Sequence, residues 1–233
     1  MLSAYEKEVI VKLKMSCLAA RCLLGLPLLL LAACGGMQIR PVDRMPVPLV
    51  EKLPLSAGLH MDAEFRNYVY KETRWNSDWI VALGAPSVSH ATRVAAASCR
   101  SVREVKDLKA PGLPAVDLVL SPHVEEFAFV TPRDAGGTTY QVTLRYRMNV
   151  FDRQGQLIDS LLYTGYGAVA GGGISTEAPL TLATEAALRD AGAKFLTEFP
   201  QQPVVQQLLR GETPAAVPVV PLLPVVEPPK ETP

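Results

Sequence analysis

The 233-residue chain has no excess of charge of either sign, with 23 Lys and Arg against 23 Asp and Glu. Nucleic-acid binders concentrate basic residues on one face, so this balance argues against that class of partner and against a polybasic membrane-surface protein. Histidine is scarce. His60, His90 and His123 are the whole set, and none stands in an HExxH or other paired-ligand spacing. There is no Walker loop, no dinucleotide-binding GxGxxG and no GxSxG nucleophile elbow. A run of about 20 apolar residues, enough to cross a bilayer as a helix, is also missing. These absences name no catalytic residue, no metal site and no cofactor, and they predict a protein that is not an enzyme. Cysteine is limited to Cys17, Cys22, Cys34 and Cys99.

What is present begins with a leader. Residues 15–34 read MSCLAARCLLGLPLLLLAAC. Arg21 supplies a positive region, and the apolar run from Leu23 to Ala33 has the length of a signal-peptide core. Small residues Ala32 and Ala33 then precede Cys34. Residues 1–14 carry Glu6 and Glu8 ahead of this pattern, so Met15 is the expected true start.

Leu31-Ala32-Ala33-Cys34 resembles the lipobox of bacterial lipoproteins. The resemblance implies cleavage before Cys34, a thioether-linked diacylglycerol on its sulfur and acylation of the new N-terminus. Several acyl chains anchor stably where one does not. Gly35 stands where enteric bacteria place the Asp that retains lipoproteins in the inner membrane, so the resemblance favours the outer membrane with the domain facing the periplasm. With Cys17 and Cys22 lost in the leader and Cys34 lipidated, Cys99 alone remains. It is expected as a buried, inert thiol in an Ala/Val-rich helix.

The domain boundaries follow composition. Residues 1–33 are read as signal peptide and 34–52, with three prolines and two glycines, as a lipidated tether. Residues 53–210 form one α+β domain, and 211–233, with seven prolines, a disordered tail. Leu53–Met61 is an expected strand. Pro86 and Ser87 open an expected helix, with Ser87 as its N-cap. In VDLVLSPHVEEFAFV, residues 116–130, the apolar alternation changes phase after Val124, which predicts a bulge. Tyr140, Val142, Leu144, Tyr146, Met148 and Val150 alternate with polar residues, the pattern of a strand with one wet face. The turn at 152–155 and the return strand 156–169 complete a long hairpin. A helix is expected from Ala178 to Phe199, ended by Pro200, and a short one after it.

This order predicts a mainly antiparallel sheet packed by two main helices. Behind a lipobox it resembles the small domains of outer-membrane lipoproteins: the curli secretion lipoprotein, activators of peptidoglycan synthases, and lipoproteins like the N-terminal domain of TolB. The residues carrying the likeness are the 116–130 strand, the TTYQVTLRYRMNVFDRQGQLIDS hairpin and the ATEAALRDAGAKFLTEF helix. The transmembrane hairpins of the curli pore have no counterpart, which argues against a pore.

Candidate sites are few. His60 and Asp62 read as a surface polar pair rather than a metal pair, His90 as solvated, and His123 as lying at a strand edge or turn. Glu125 and Glu126, as strand neighbours, are expected to point to opposite faces and so not to form an acid/base dyad. Gly165, Gly167 and 171–173 read as a flexible stretch. Trp75 and Trp79, in YVYKETRWNSDWI, read about equally as partner-binding anchors or core, with Trp79 leaning to the core because Ile80 and Val81 follow it. The expected role is an accessory or assembly factor of a cell-envelope complex, with an envelope protein as partner. A glycan- or lipid-binding transport auxiliary is the alternative.

Overall fold

A computed structural model describes residues 36–108, 115–171 and 175–217. The leader, Cys34 and Gly35, Gly172 and Gly173, and the tail from 218 lie outside the described residues. The chain groups into two units, one of Met1–Met37 with Lys71–Ile80 and one of Gln38–Tyr70 with Val81–Pro233.

In chain order the elements are β1 (Met37–Ile39), β2 (Leu53–Leu59), α1 (Ala63–Arg66), β3 (Val69–Arg74), β4 (Ser77–Ala82) and α2 (Gly84–Ser98). They continue with β5 (Cys99–Glu104), β6 (Leu118–Val130), α3 (Pro132–Ala135), β7 (Thr139–Phe151), β8 (Leu157–Ala170), α4 (Glu177–Glu198), a 3₁₀ turn (Phe199–Gln201) and α5 (Pro203–Leu209). The fold is α+β. A three-stranded sheet has the order β1-β4-β3, and a five-stranded sheet the order β5-β2-β6-β7-β8. The expected antiparallel pairing holds for β6, β7 and β8, whereas β2 runs parallel to both β5 and β6. Parallel partners need crossover connections, and α2 lies in the one between β2 and β5.

The alternation read in β7 is the core. All six apolar residues from Tyr140 to Val150 are buried, and the residues between them face outward. Helices α2 and α4 cover this inner face: α4 packs on β7 and β8, and α2 packs on β2, β5 and α4. Leu180, Ala183, Thr184, Ala187, Leu188, Ala191 and Phe195 form the buried stripe of α4. Gly165 and Gly167 are not a flexible stretch. They lie in β8 directly under α4, where a Cβ on either would run into the backbone carbonyl of Ala187 or Ala183. Two glycines facing small alanines let the helix backbone rest on the strand.

Helix α2 starts at Gly84, earlier than expected, and Ser87 is not its cap. Ser87 is buried inside the helix, and its hydroxyl is 2.8 Å from the Tyr146 hydroxyl. The predicted phase shift in β6 is a bulge between Val124 and Glu126. Pro122, which cannot donate to a ladder, lies beyond Leu120, where pairing with β2 stops. Helix α4 ends where Pro200 follows it, as a 3₁₀ turn.

Two segments expected to be loose are packed over part of their length. Ile39 and Met45 are buried, and the Asp43 carboxylate is held by the Arg93 guanidinium at 3.0 Å, the Ser89 hydroxyl at 3.0 Å and the Met45 amide at 3.0 Å. Arg44 pairs with buried Glu185 at 3.2 Å, and Glu185 also accepts from the Val42 amide at 3.3 Å. The strap 38–45 therefore runs along α2 and α4. Its prolines suit extended backbone, while its apolar and charged side chains fix it to the two helices. At the other end Pro214 is buried, and the Val217 amide donates to the Leu157 carbonyl at 2.8 Å. Among the described residues no helix is long and apolar enough to cross a membrane.

Candidate functional site

The aromatic segment singled out in the sequence is a hairpin. Trp75 and Asn76 form the two-residue turn between β3 and β4, with φ of 52° and 58°. A type I′ turn needs positive φ at both central positions. Asn accepts this readily, whereas a bulky side chain in the left-handed region costs roughly 1–2 kcal/mol. Thr73 and Asp78 tie the strands together through a 2.7 Å hydroxyl–carboxylate bond. The two tryptophans meet edge to face, with centroids 6.4 Å apart and planes at 74°. Trp79 is 1% exposed and Trp75 is 37% exposed. The even choice between anchor and core therefore divides by residue: Trp79 is core and Trp75 is surface. The Arg74 guanidinium lies 5.6 Å from the Trp75 ring centre and grips Glu72 through a two-pronged pair at 2.8 and 2.7 Å.

Gly36 belongs to the same unit as this hairpin. A Cβ placed on it would lie 2.9 Å from the Asp78 carbonyl oxygen, so its backbone rests directly on β4. The expected lipidation site, Cys34, lies outside the described residues, two positions upstream of this contact.

The histidines have structural surroundings. His60 Nδ1 is 3.0 Å from the Val105 carbonyl. Asp62 caps α1, accepting from the Phe65 amide at 2.7 Å, and faces His123 at 3.7 Å. His90, expected to be solvated, is fully buried. It falls on the same helical stripe as Ser87, Ala91 and Val94, and burial pulls its pKa down to about 4. Cys99 is buried as expected but opens β5 rather than lying in the helix, and burial pushes its thiol up to about 12.

Glu125 and Glu126 depart from the expected opposite orientation. Glu125 is the extra residue of the bulge, and both side chains reach the outer face. There Glu125 pairs with Arg147, and Glu126 pairs with Arg145 at 2.9 Å. The Arg147 guanidinium holds the Glu125 carboxyl below its usual range. Among the described residues no group of three His, Cys, Asp or Glu could hold a metal ion. Leu162 and Tyr166 add exposed apolar area at the β8 edge, with the Lys194 ammonium 4.5 Å over the Tyr166 ring.

Sequence reasoning missed the strap and its clamps, Asp43 with Arg93 and Arg44 with Glu185. The adjacent opposite charges Asp43-Arg44 were the available signal. It also missed β3 and β4 as a hairpin, because the turn lacks glycine.

No family model and no curated protein matches the chain. Among solved structures, it is similar to a protein of family DUF330 from Xanthomonas campestris, with 12% identity over 71% of this chain and 99% of that one, at a TM-score of 0.44. It is also similar to a minor lipoprotein from Acinetobacter baumannii, with 15% identity over 72% of this chain and 100% of that one, at a TM-score of 0.36.

Proposed function

We propose that the chain is a lipoprotein, anchored through Cys34 to the outer membrane, whose α+β domain faces the periplasm. There it acts without catalysis as an accessory or assembly factor of an envelope complex. One observation carries the reading. The packed chain reaches back to Gly36, two residues after the lipobox cysteine, which is where the mature N-terminus of a lipoprotein would begin.

The side chains that chemistry would need are committed to structure, which supports a binding role. Asp62 is a helix cap, Glu125 and Glu126 are paired with arginines, and His90 is stacked among tyrosines. The outer face of the five-stranded sheet offers charged pairs beside Leu162 and Tyr166, a mixed surface suited to a protein partner.

The test combines two measurements in cells. Cys34→Ser should abolish the lipid mass on the N-terminal peptide and move the protein from the membrane to the soluble fraction. A photocrosslinker at Leu162 or Tyr166 should trap an envelope protein. Membrane retention of Cys34→Ser would defeat the anchor, and recovery of only uncrosslinked monomer would defeat the partner. Exposed Trp75 favours a second reading, the glycan- or lipid-binding auxiliary. It predicts co-sedimentation with sacculi, or stabilisation by lipid, that is lost in Trp75→Ala.

A further inference from the structure

An acyl chain on Cys34 fixes that residue at the headgroup level of a bilayer, and the structure limits how far the hairpin can stand from it. Cys34 and Gly36 are two positions apart, so their Cα atoms lie within about 7 Å of each other. Gly36 rests on Asp78, three positions past Trp75 along the hairpin, a further ~10 Å at most. With a further ~5 Å between the Gly36 and Asp78 backbones, the tip of the β3–β4 hairpin is thus held within ~22 Å of the anchor. A free tether over 34–52 would instead have allowed about 60 Å. The headgroup layer on each side of the hydrocarbon is itself some 5–7 Å deep, and tryptophan is the side chain most at home there, with a broad apolar ring and one N–H donor.

Trp75 has the other properties such a contact needs. It is 37% exposed, and it is backed by buried Trp79 and by Arg74. It also keeps a bulky ring at a left-handed turn position where glycine or asparagine would relieve strain. Strain retained at an exposed aromatic is the pattern of a contact residue rather than a packing one.

We infer that Trp75 at the β3–β4 turn is a membrane-interface residue that inserts into the headgroup layer of the leaflet holding the Cys34 anchor and so seats the tip of this hairpin on the bilayer. The occupant is a phospholipid surface. This rests on the Cys34 reading.

The chain has two tryptophans, so fluorescence excited at the red edge of their absorption, where the seven tyrosines do not absorb, reports on the pair alone. Full-length lipidated protein is reconstituted in phosphatidylcholine vesicles carrying bromines near the headgroup end of one acyl chain. Wild type and Trp79→Phe, which leaves Trp75 as the sole fluorophore, should both lose emission relative to unbrominated vesicles. Trp75→Phe, which leaves only buried Trp79, should lose none. The surface variant guards against misfolding of the core variant, since wild type and Trp75→Phe suffice for the comparison. Intact mass of the vesicle-bound chain is read alongside. A lipidated, vesicle-bound protein whose wild-type emission is untouched by bromine overturns the interface contact and leaves the anchor standing. An unmodified Cys34 overturns both. Emission that responds to purified sacculi but not to brominated lipid assigns Trp75 to a glycan instead and overturns the proposal.

Discussion

His90 lies flat on Tyr146, their ring centroids 5.3 Å apart and their planes 16° from parallel. The stack continues to Tyr163, 5.5 Å from Tyr146, and on to Phe195. Within it, neither ring nitrogen of His90 has a hydrogen-bond partner among the described residues. A buried polar group without a partner costs roughly 1–3 kcal/mol, and a charged one more. The imidazole is therefore neutral in the folded protein. The Asp43 carboxylate opposes this effect of burial but does not overcome it.

That environment makes folding sensitive to mild acid. His90 titrates at about 4 when folded, against about 6.5 when unfolded. A depressed folded value means the unfolded chain takes up the proton first. The contribution is complete above pH 6.5 and is lost as pH falls toward 4, about 2 kcal/mol of it by pH 5. Urea titrations at pH 7 and pH 5 should show this loss, and His90→Leu should lack it over that interval. Carboxylates held low, such as Asp117 and Asp190, act at more acidic pH and leave the window to His90. An unchanged pH dependence in the variant would refute the assignment.

The glycines of β8 should be among the least replaceable residues. Gly167→Ala places a methyl group against the Ala183 carbonyl, and α4 must move bodily to admit it. The expected loss is about 3 kcal/mol, at the upper end of overpacking effects. Gly137→Ala is the control: its Cβ meets nothing within 4 Å, and the change should be neutral or stabilise by up to about 1 kcal/mol. Thermal melts of both variants read the contrast directly.

The long hairpin was legible in the sequence because burial on one face writes a period of two into β7, and the β6 bulge was legible as a break in that period. The β8 glycines were not, because closeness to α4 is a relation between residues 16 to 22 positions apart that no local pattern carries. His90 was misjudged for the opposite reason. Its position on the α2 stripe was readable, with Ser87 three residues before it and Val94 four after, but its polarity outweighed the periodicity. Of the candidate site, the aromatic pair was visible, and so was the burial of Trp79 ahead of apolar Ile80 and Val81. The turn at Trp75-Asn76 was not, because it uses an unusual residue at a left-handed position.

Cys99 should behave as an unreactive thiol although it is the only cysteine among the described residues. Burial chiefly pushes it to about 12, with the Asp117 carboxylate adding to the effect and Lys52 opposing it. At pH 8 the thiolate fraction is then on the order of one in ten thousand. A maleimide or disulfide reagent should leave the native domain unlabelled for as long as it stays folded and should label it promptly in denaturant. Fast labelling of the native protein would show that β5 opens locally.

The strap gives the last expectation. Asp43 is the pivot on the α2 side: its side chain is 1% exposed and receives Arg93, Ser89 and the Met45 amide, while Arg93 also donates to the Met45 carbonyl at 2.7 Å. Asp43→Ala leaves these donors facing a void and should cost about 2–3 kcal/mol. Arg44 and Glu185 hold the α4 side independently, so the domain should remain folded with the strap loosened. Limited trypsin digestion should then cut after Arg44 faster than in the wild type, whereas Arg40, followed by Pro41, stays uncut in both. An unchanged rate of cutting after Arg44 in Asp43→Ala would mean that the α4 clamp alone fixes the strap.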